Sequence, residues 1–199
     1  MKQFTDTLTL DGGGYSFASE EINLTYLYGF AASFTWTDSA PSAFSLPASS
    51  VTVAADTFIE VAHGAKTGLK VVLSTDTTAP SGTTAGNTYY VIKTDDDSFQ
   101  IASSSANAAA GTALPIYDQG VGIHTFTPDS LAGASIKLQA TTGVAGDSWY
   151  DIPDSETSIT GDSAASFNVR EQFYTKIRAY ITLTAGQLDV SGFVSSKGW

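Results

Sequence analysis

The side chains able to do chemistry are few and widely spaced. Histidine occurs twice, as His63 and His124. A metal site built on them would need one or two further ligands, because zinc takes three or four with defined geometry. Each stands beside a glycine or a threonine, where an imidazole fixes a turn through its ring nitrogens. Asp95, Asp96 and Asp97 form an acidic run. They lack the twelve-residue calcium-loop pattern with a central glycine and a terminal glutamate, so they read as a solvated hairpin tip. Asp147, Asp151, Asp154 and Glu156 offer carboxylates for glycoside hydrolysis, but nothing in their spacing singles out an acid and its partner. No nucleophile elbow accompanies a serine, so Ser-His-Asp catalysis has no footing. Three tryptophans, Trp36, Trp149 and Trp199, are the residues able to stack on sugars. Trp36 alternates with core positions and reads as buried, whereas Trp149 follows a glycine-bearing loop. No catalytic residue, cofactor or metal ligand set is expected, and the chain reads as a non-enzyme.

The elements that position these residues are strands. In Thr175–Thr184, Ile177, Ala179, Ile181 and Leu183 alternate with Lys176, Arg178, Tyr180 and Thr182. Period-two alternation marks a strand with one buried and one wet face. Ala134–Ala140 carries the same pattern through Ile136 and Leu138 and is its natural neighbour. Further runs at Gln3–Leu10, Thr25–Thr37, Thr57–Gly64, Leu69–Thr75, Thr88–Thr94, Ser98–Ala102, Leu114–Tyr117 and Gly122–Thr127 are separated by turn residues. The glycines of Asp11–Gly14 are expected to break the first of them. Ser103–Ala110 is alanine-rich and suits one or two helical turns stopped by Gly111. Strands at this spacing, with no long helical period, indicate an all-β fold, an antiparallel β-sandwich of jelly-roll or immunoglobulin-like type.

Composition narrows the function classes. The 199 residues carry nine basic and twenty acidic side chains, a net charge of −11. Binding along a nucleic-acid backbone needs clustered Lys and Arg, so no nucleic-acid partner is expected. Hydrophobic content of 42% and a charged fraction of 15% mark a globular chain. With no cysteine, disulfides and thiolate metal sites are excluded. No stretch approaches the run of about 20 apolar residues that a membrane span takes, and the N-terminus lacks an apolar signal core. No membrane partner is therefore expected, and synthesis in a cytoplasm is.

Asp38–Ser50 changes character, with Pro41, Pro47 and small residues, and reads as a connection leaving the sheet. The sandwich pattern resumes after Pro128. Residues 1–50 and 128–199 are therefore expected to form one discontinuous β-sandwich domain. Residues 51–127 are expected to form a small β-rich module inserted in one of its loops.

Two sets of motifs carry a resemblance. Ser135–Ala140, Asp147–Pro153, Ser158–Gly161, Phe167–Val169 and Tyr174–Tyr180 resemble the progression found in small β-sandwich proteins of tailed-bacteriophage virions. The likeness covers about residues 1–42 and 131–198. Ala62-His-Gly64, Thr67-Gly68, Tyr89–Ile92, Phe99–Ala102, Ala108–Thr112 and Gly120–Thr125 resemble a second small module common in phage structural proteins. The resemblance implies a structural role in a virion after synthesis in a host cytoplasm, without fixing the part of the particle; the leading expectation is a capsid decoration or accessory protein in multiple copies. It implies other copies of the chain and other virion proteins, major capsid or tail proteins, as partners. The alternative is a tail or fibre-associated module that binds a host-surface glycan or receptor. In the closing strand, Leu188, Val190 and Val194 share one face and Phe193 takes the other. Phe193 and Trp199 have no evident partner within the chain and are expected at an interface, where aromatic side chains are the usual anchors.

Overall fold

The structure, a computed structural model, describes residues 8–13, 17–24, 29–143, 148–170 and 174–196. The first strands are β1 (Leu8–Gly13), β2 (Phe17–Ala18), β3 (Ile22–Asn23) and β4 (Gly29–Asp38). A second group follows: β5 (Phe44–Pro47), β6 (Val51–Thr52), β7 (Thr57–Ile59), β8 (Lys70–Thr75), β9 (Thr88–Lys93), β10 (Ser98–Ala102) and β11 (Ile123–Pro128). The chain closes with β12 (Ala134–Thr141), β13 (Tyr150–Asp151), β14 (Thr157–Ile159), β15 (Ser163–Arg170), β16 (Lys176–Thr182) and β17 (Gln187–Ser196). A short α-helix, α1 (Ser105–Ala109), is capped by the Ser104 hydroxyl accepting from the Asn107 amide, and Gly111 at φ 68° ends the turn after it.

The strands build three antiparallel sheets. Sheet A runs β1-β17-β4-β15, and sheet B runs β13-β12-β16-β2 with β14 and β3 alongside. Sheet C runs β5-β11-β8-β9-β10-β7-β6. Ile136 and Leu138 of β12 stand opposite Ile181 and Ala179 of β16, the pairing their alternation predicts. The inward side chains of sheet A, among them Phe30, Phe34, Trp36 and Val190, share one core with Ile136, Leu138, Ile177 and Ile181 of sheet B. The chain is thus the all-β, antiparallel, sandwich-like fold that the alternation indicates. Within β17, Gly192 lies under the Phe34 ring: a Cβ there would stand 2.4 Å from the ring edge. Glycine in mid-strand here makes room for an aromatic neighbour.

Sheet C has its own core. Phe44, Phe58, Phe99 and Phe126 pack with ring centroids 5.1–5.7 Å apart in stacked and edge-on pairs. Phe44–Pro47, expected in the connection leaving the sandwich, instead pairs with Ile123–Phe126 as an edge of sheet C. The proline that suggested a loop, Pro47, is the last residue of that edge, where a missing N–H costs no ladder bond. Two further expectations change. Asp11–Gly13 continues β1 against Asp189–Gln187, because paired glycine backbone stays extended. Residues 114–117 form no strand; the Leu114 amide bonds Ile101 O and the Ile116 amide bonds the Asp56 carboxylate instead.

Sheets A and C meet at a buried polar joint. Gln187, 1% exposed at the start of β17, accepts from the Lys66 amide at 2.7 Å through Oε1. Its Nε2 donates to Ser39 O at 2.9 Å and Gly64 O at 3.0 Å. Lys66 also pairs with Asp189 two residues on. On the return path the Lys70 ammonium meets Asp129 at 2.6 Å.

Gln187→Ala would leave a buried amide N–H and two carbonyls without partners. A loss of about 2–4 kcal/mol is expected, read as a lower guanidinium midpoint. Ser191→Ala, exposed on the same strand, should stay within about 0.5 kcal/mol. Equal small losses for both would show that water replaces the glutamine amide.

Candidate interaction surfaces

Two broad faces present unlike chemistry. The outer face of sheet A is small, polar and uncharged at its centre. Ser33 of β4 stands opposite Ser166 of β15 and Phe193 of β17, and Thr35 stands opposite Ala164 and Ser191. The hydroxyls of Ser33 and Ser166 lie 2.8 Å apart, as do those of Thr35 and Ser191. Such cross-strand hydroxyl pairs satisfy one another and leave the face flat. From it rises Phe193, 49% exposed, while its neighbours Gly192 and Val194 turn into the core. The alternation in β17 forces this: with Leu188, Val190 and Val194 inward, residue 193 must face out. Trp199, expected with Phe193 at an interface, lies outside the described residues.

The outer face of sheet B is charged and aromatic. The Arg178 guanidinium lies over the Trp149 ring at 4.3 Å and near Tyr180 at 5.9 Å. Its Nε donates to Gln139 Oε1 at 2.9 Å, and Gln139 Nε2 donates to Asp151 Oδ1 at 2.9 Å. Lys137 Nζ reaches Asp151 Oδ2 at 2.6 Å and sits 5.6 Å from the Tyr180 centroid. Alternation on β12 and β16 places Lys137, Gln139, Arg178 and Tyr180 outward, so one line of hydrogen bonds crosses three strands. At its end Tyr150 and Tyr174 pack with centroids 5.8 Å apart. The lysine and Gln139 hold the Asp151 carboxyl below the ordinary carboxylate range, and Asp151 in turn raises Lys137.

No protein-family model matches the chain, and no curated protein matches it. Among solved structures, the complex of VP16 and VP17, the two major capsid proteins of bacteriophage P23-77, is similar at a TM-score of 0.25. It is 8% identical, with 96% of this chain and 97% of that chain covered. A likeness at that score carries no argument about fold or role.

The remaining sequence candidates are placed apart. His63 is buried; its Nδ1 accepts from the Ala65 amide and its Nε2 faces the carbonyls of Asp95 and Ser98. His124 is buried too, with Nε2 2.9 Å from Gln119 O and Nδ1 3.2 Å from Thr75 Oγ1. Each ring ties a loop to a strand, and no group of three metal-ligating side chains occurs among the described residues. Asp95–Asp97 lie at the β9–β10 hairpin tip. The Ser98 hydroxyl and the Asp97 amide donate to Asp95 and hold its carboxyl low; Asp96 pairs with Lys93; Asp97 accepts from the Ala62 amide. Asp118 is lowered by the amides of Ser81 and Gly120. Among the carboxylates nominated for hydrolysis, Glu156 accepts from Ser135 and Asp154 occupies a left-handed turn at φ 57°. Asp147 lies outside the described residues. Trp36 is buried and donates to Gly161 O at 2.8 Å. The Arg178–Trp149 stack escaped sequence reasoning, because the two residues lie far apart in sequence; the one available signal was the outward phase of Arg178 in its strand.

The depressed carboxylates set the pH dependence. Their folded pKa values lie below the unfolded value of about 3.9, so their contribution is complete above it and lost as pH falls through the folded values. Guanidinium midpoints should hold level from pH 7 to about 5 and decline below about pH 4. Asp151→Asn should make that decline shallower. An unchanged acid slope in the variant would show that Asp151 is equally held in the unfolded chain.

Proposed function

We propose that this chain is a non-enzymatic structural component of a phage particle, a capsid decoration or accessory protein present in multiple copies. The observation that carries the reading is Phe193: a half-exposed aromatic side chain beside the uncharged serine, threonine and alanine side chains that β4 and β15 turn outward. Desolvating hydroxyls already paired with one another costs little, and a single ring entering a partner's pocket supplies the anchor. The virion-protein resemblance of residues 135–180 supports the same class. In this reading the partners are other virion proteins and further copies of the chain, and the protein resides in the virion. In this reading the segment carrying sheet C is a unit set into a loop of the sandwich, with Val61 and Tyr117 exposed on it.

A second reading has its own observation. On sheet B, Trp149, Tyr150 and Tyr174 adjoin the Arg178–Gln139–Asp151–Lys137 line, which combines stacking surface with donors and acceptors for hydroxyls. A tail or fibre-associated module recognising a host-surface glycan would use that face.

Phe193→Ser is expected to reduce incorporation of the chain into particles on the order of tenfold, with the melting temperature of the free chain nearly unchanged. Incorporation is measured from the protein content of purified particles. Normal uptake of the variant would remove sheet A as the docking face. If, in addition, a glycan array shows binding that Trp149→Ala abolishes, the second reading replaces the first.

A further inference from the structure

We infer that β15 is a self-pairing edge, through which two copies of this chain join antiparallel about Ser166 and double the four-stranded sheet A. An unpaired edge offers a row of N–H and C=O groups to any strand, and proteins blunt such edges by shortness, charge, proline or bulges. The edges of sheets B and C are short: β13, β14, β2, β3 and β6 have two or three residues and β5 has four. By contrast, β15 has eight residues and pairs along its whole length with β4. Its sequence, Ser-Ala-Ala-Ser-Phe-Asn-Val-Arg, has no proline and no charge before the terminal Arg170. Its other side pairs with no described strand.

The occupant follows from the strand's own symmetry. In an antiparallel pair, residues whose backbone groups point outward alternate with those pointing inward. Two copies of one edge can therefore bond only when residues of like parity face each other, which places a two-fold axis on a residue. Centred on Ser166, Asp162 of each copy stands opposite Arg170 of the other, at both ends. Ala165 stands opposite Phe167, small against large, and Ala164 opposite Asn168. Phe167 and Ala165 are only partly buried at the rim of the core, and this pairing covers them. Centring on Ala165 sets Arg170 against Thr160, and centring on Phe167 sets it against Ala164. Only the Ser166 register among these three matches both charges.

Arg170 is exposed and makes no ion pair among the described residues. Each chain carries a net charge of −11. Residues 163–169 carry no charge and lie between one anion, Asp162, whose Oδ1 also accepts from the Asp38 amide at 2.8 Å, and one cation, Arg170, so two such chains meet little repulsion along this stretch. The contact is isologous, so it closes at two copies and leaves the Phe193 face free on both. It does not rest on the virion reading: its failure would leave the role of Phe193 untouched.

The test uses the full chain. Sedimentation velocity from about 10 to 200 µM should show the mass rising toward that of two chains, as expected for an interface smaller than standard size. The chain has no cysteine, so single cysteines report register. Ser166→Cys should oxidise to a covalent dimer, since residues facing across an antiparallel pair lie within disulfide reach. Ala164→Cys and Asn168→Cys should cross-link when mixed and little when alone. Arg170→Asp should weaken association on the order of tenfold, and the double variant Asp162→Arg/Arg170→Asp should restore it. A chain that stays monomeric throughout overturns the proposal. So does a Ser166→Cys variant that cross-links no faster than Thr77→Cys, an exposed control, or an Ala164→Cys variant that prefers itself to Asn168→Cys.

Discussion

The amide of Gln187 is the constraint on which the joining of the sheets depends. It sits at the first residue of β17, so its backbone belongs to sheet A while its side chain reaches the loop that leads into β8. Its backbone carbonyl also accepts from Ser39, at the point where the chain leaves β4. One residue therefore bonds the exit of sheet A and the entry loop of sheet C together. A primary amide is suited to this because it donates and accepts at once. Away from water each of these bonds matters more than its net average, since losing one strands a buried group. No buried side-chain polar atom is left without a partner among the described residues.

The two cores differ in how they specify shape. Between sheets A and B the packing is mostly aliphatic, with Phe34 and Trp36 as the large pieces and Gly192 hollowed to receive the Phe34 ring. Within sheet C four phenyl rings interlock, and the His63 ring joins them 5.1 Å from Phe99. That histidine is at once a packing element and a hydrogen-bonding bracket for the β9–β10 turn. Its burial among rings explains why a residue with metal-binding capacity serves structure here.

Outward, the sandwich shows two unlike faces because its outward residues were drawn from two unlike sets. Sheet B turns lysine, arginine, glutamine and aspartate to solvent, and they lock into one network in which each charge meets an opposite charge or a ring. At its centre sheet A turns out hydroxyls and methyl groups, with charge toward the strand ends, at Asp189 and Arg170. The exposed ring of Phe193 on the second kind of surface meets no charge or ring among the described residues, whereas on the first Trp149 is already engaged by Arg178.

Alternation made the buried and wet faces of residues 134–140, 175–184 and 188–194 legible from the sequence, because side-chain phase in a strand is a local property. Phe193 pointing outward and Trp36 pointing inward follow from that phase. The Asp95–Asp97 tip and the short helix ending at Gly111 were legible for the same reason: turn and cap chemistry acts over three or four residues. What the tertiary structure decided is everything that depends on which strand lies beside which. Phe44–Pro47 became an edge of sheet C only because Ile123–Pro128 offered it a ladder, and the glycines at 12 and 13 stayed extended only because β17 paired with them. The partners of Gln187 and the stack of Arg178 on Trp149 join residues from distant parts of the chain. Whether β15 is central or an edge is likewise set by sheet order, which no local pattern encodes.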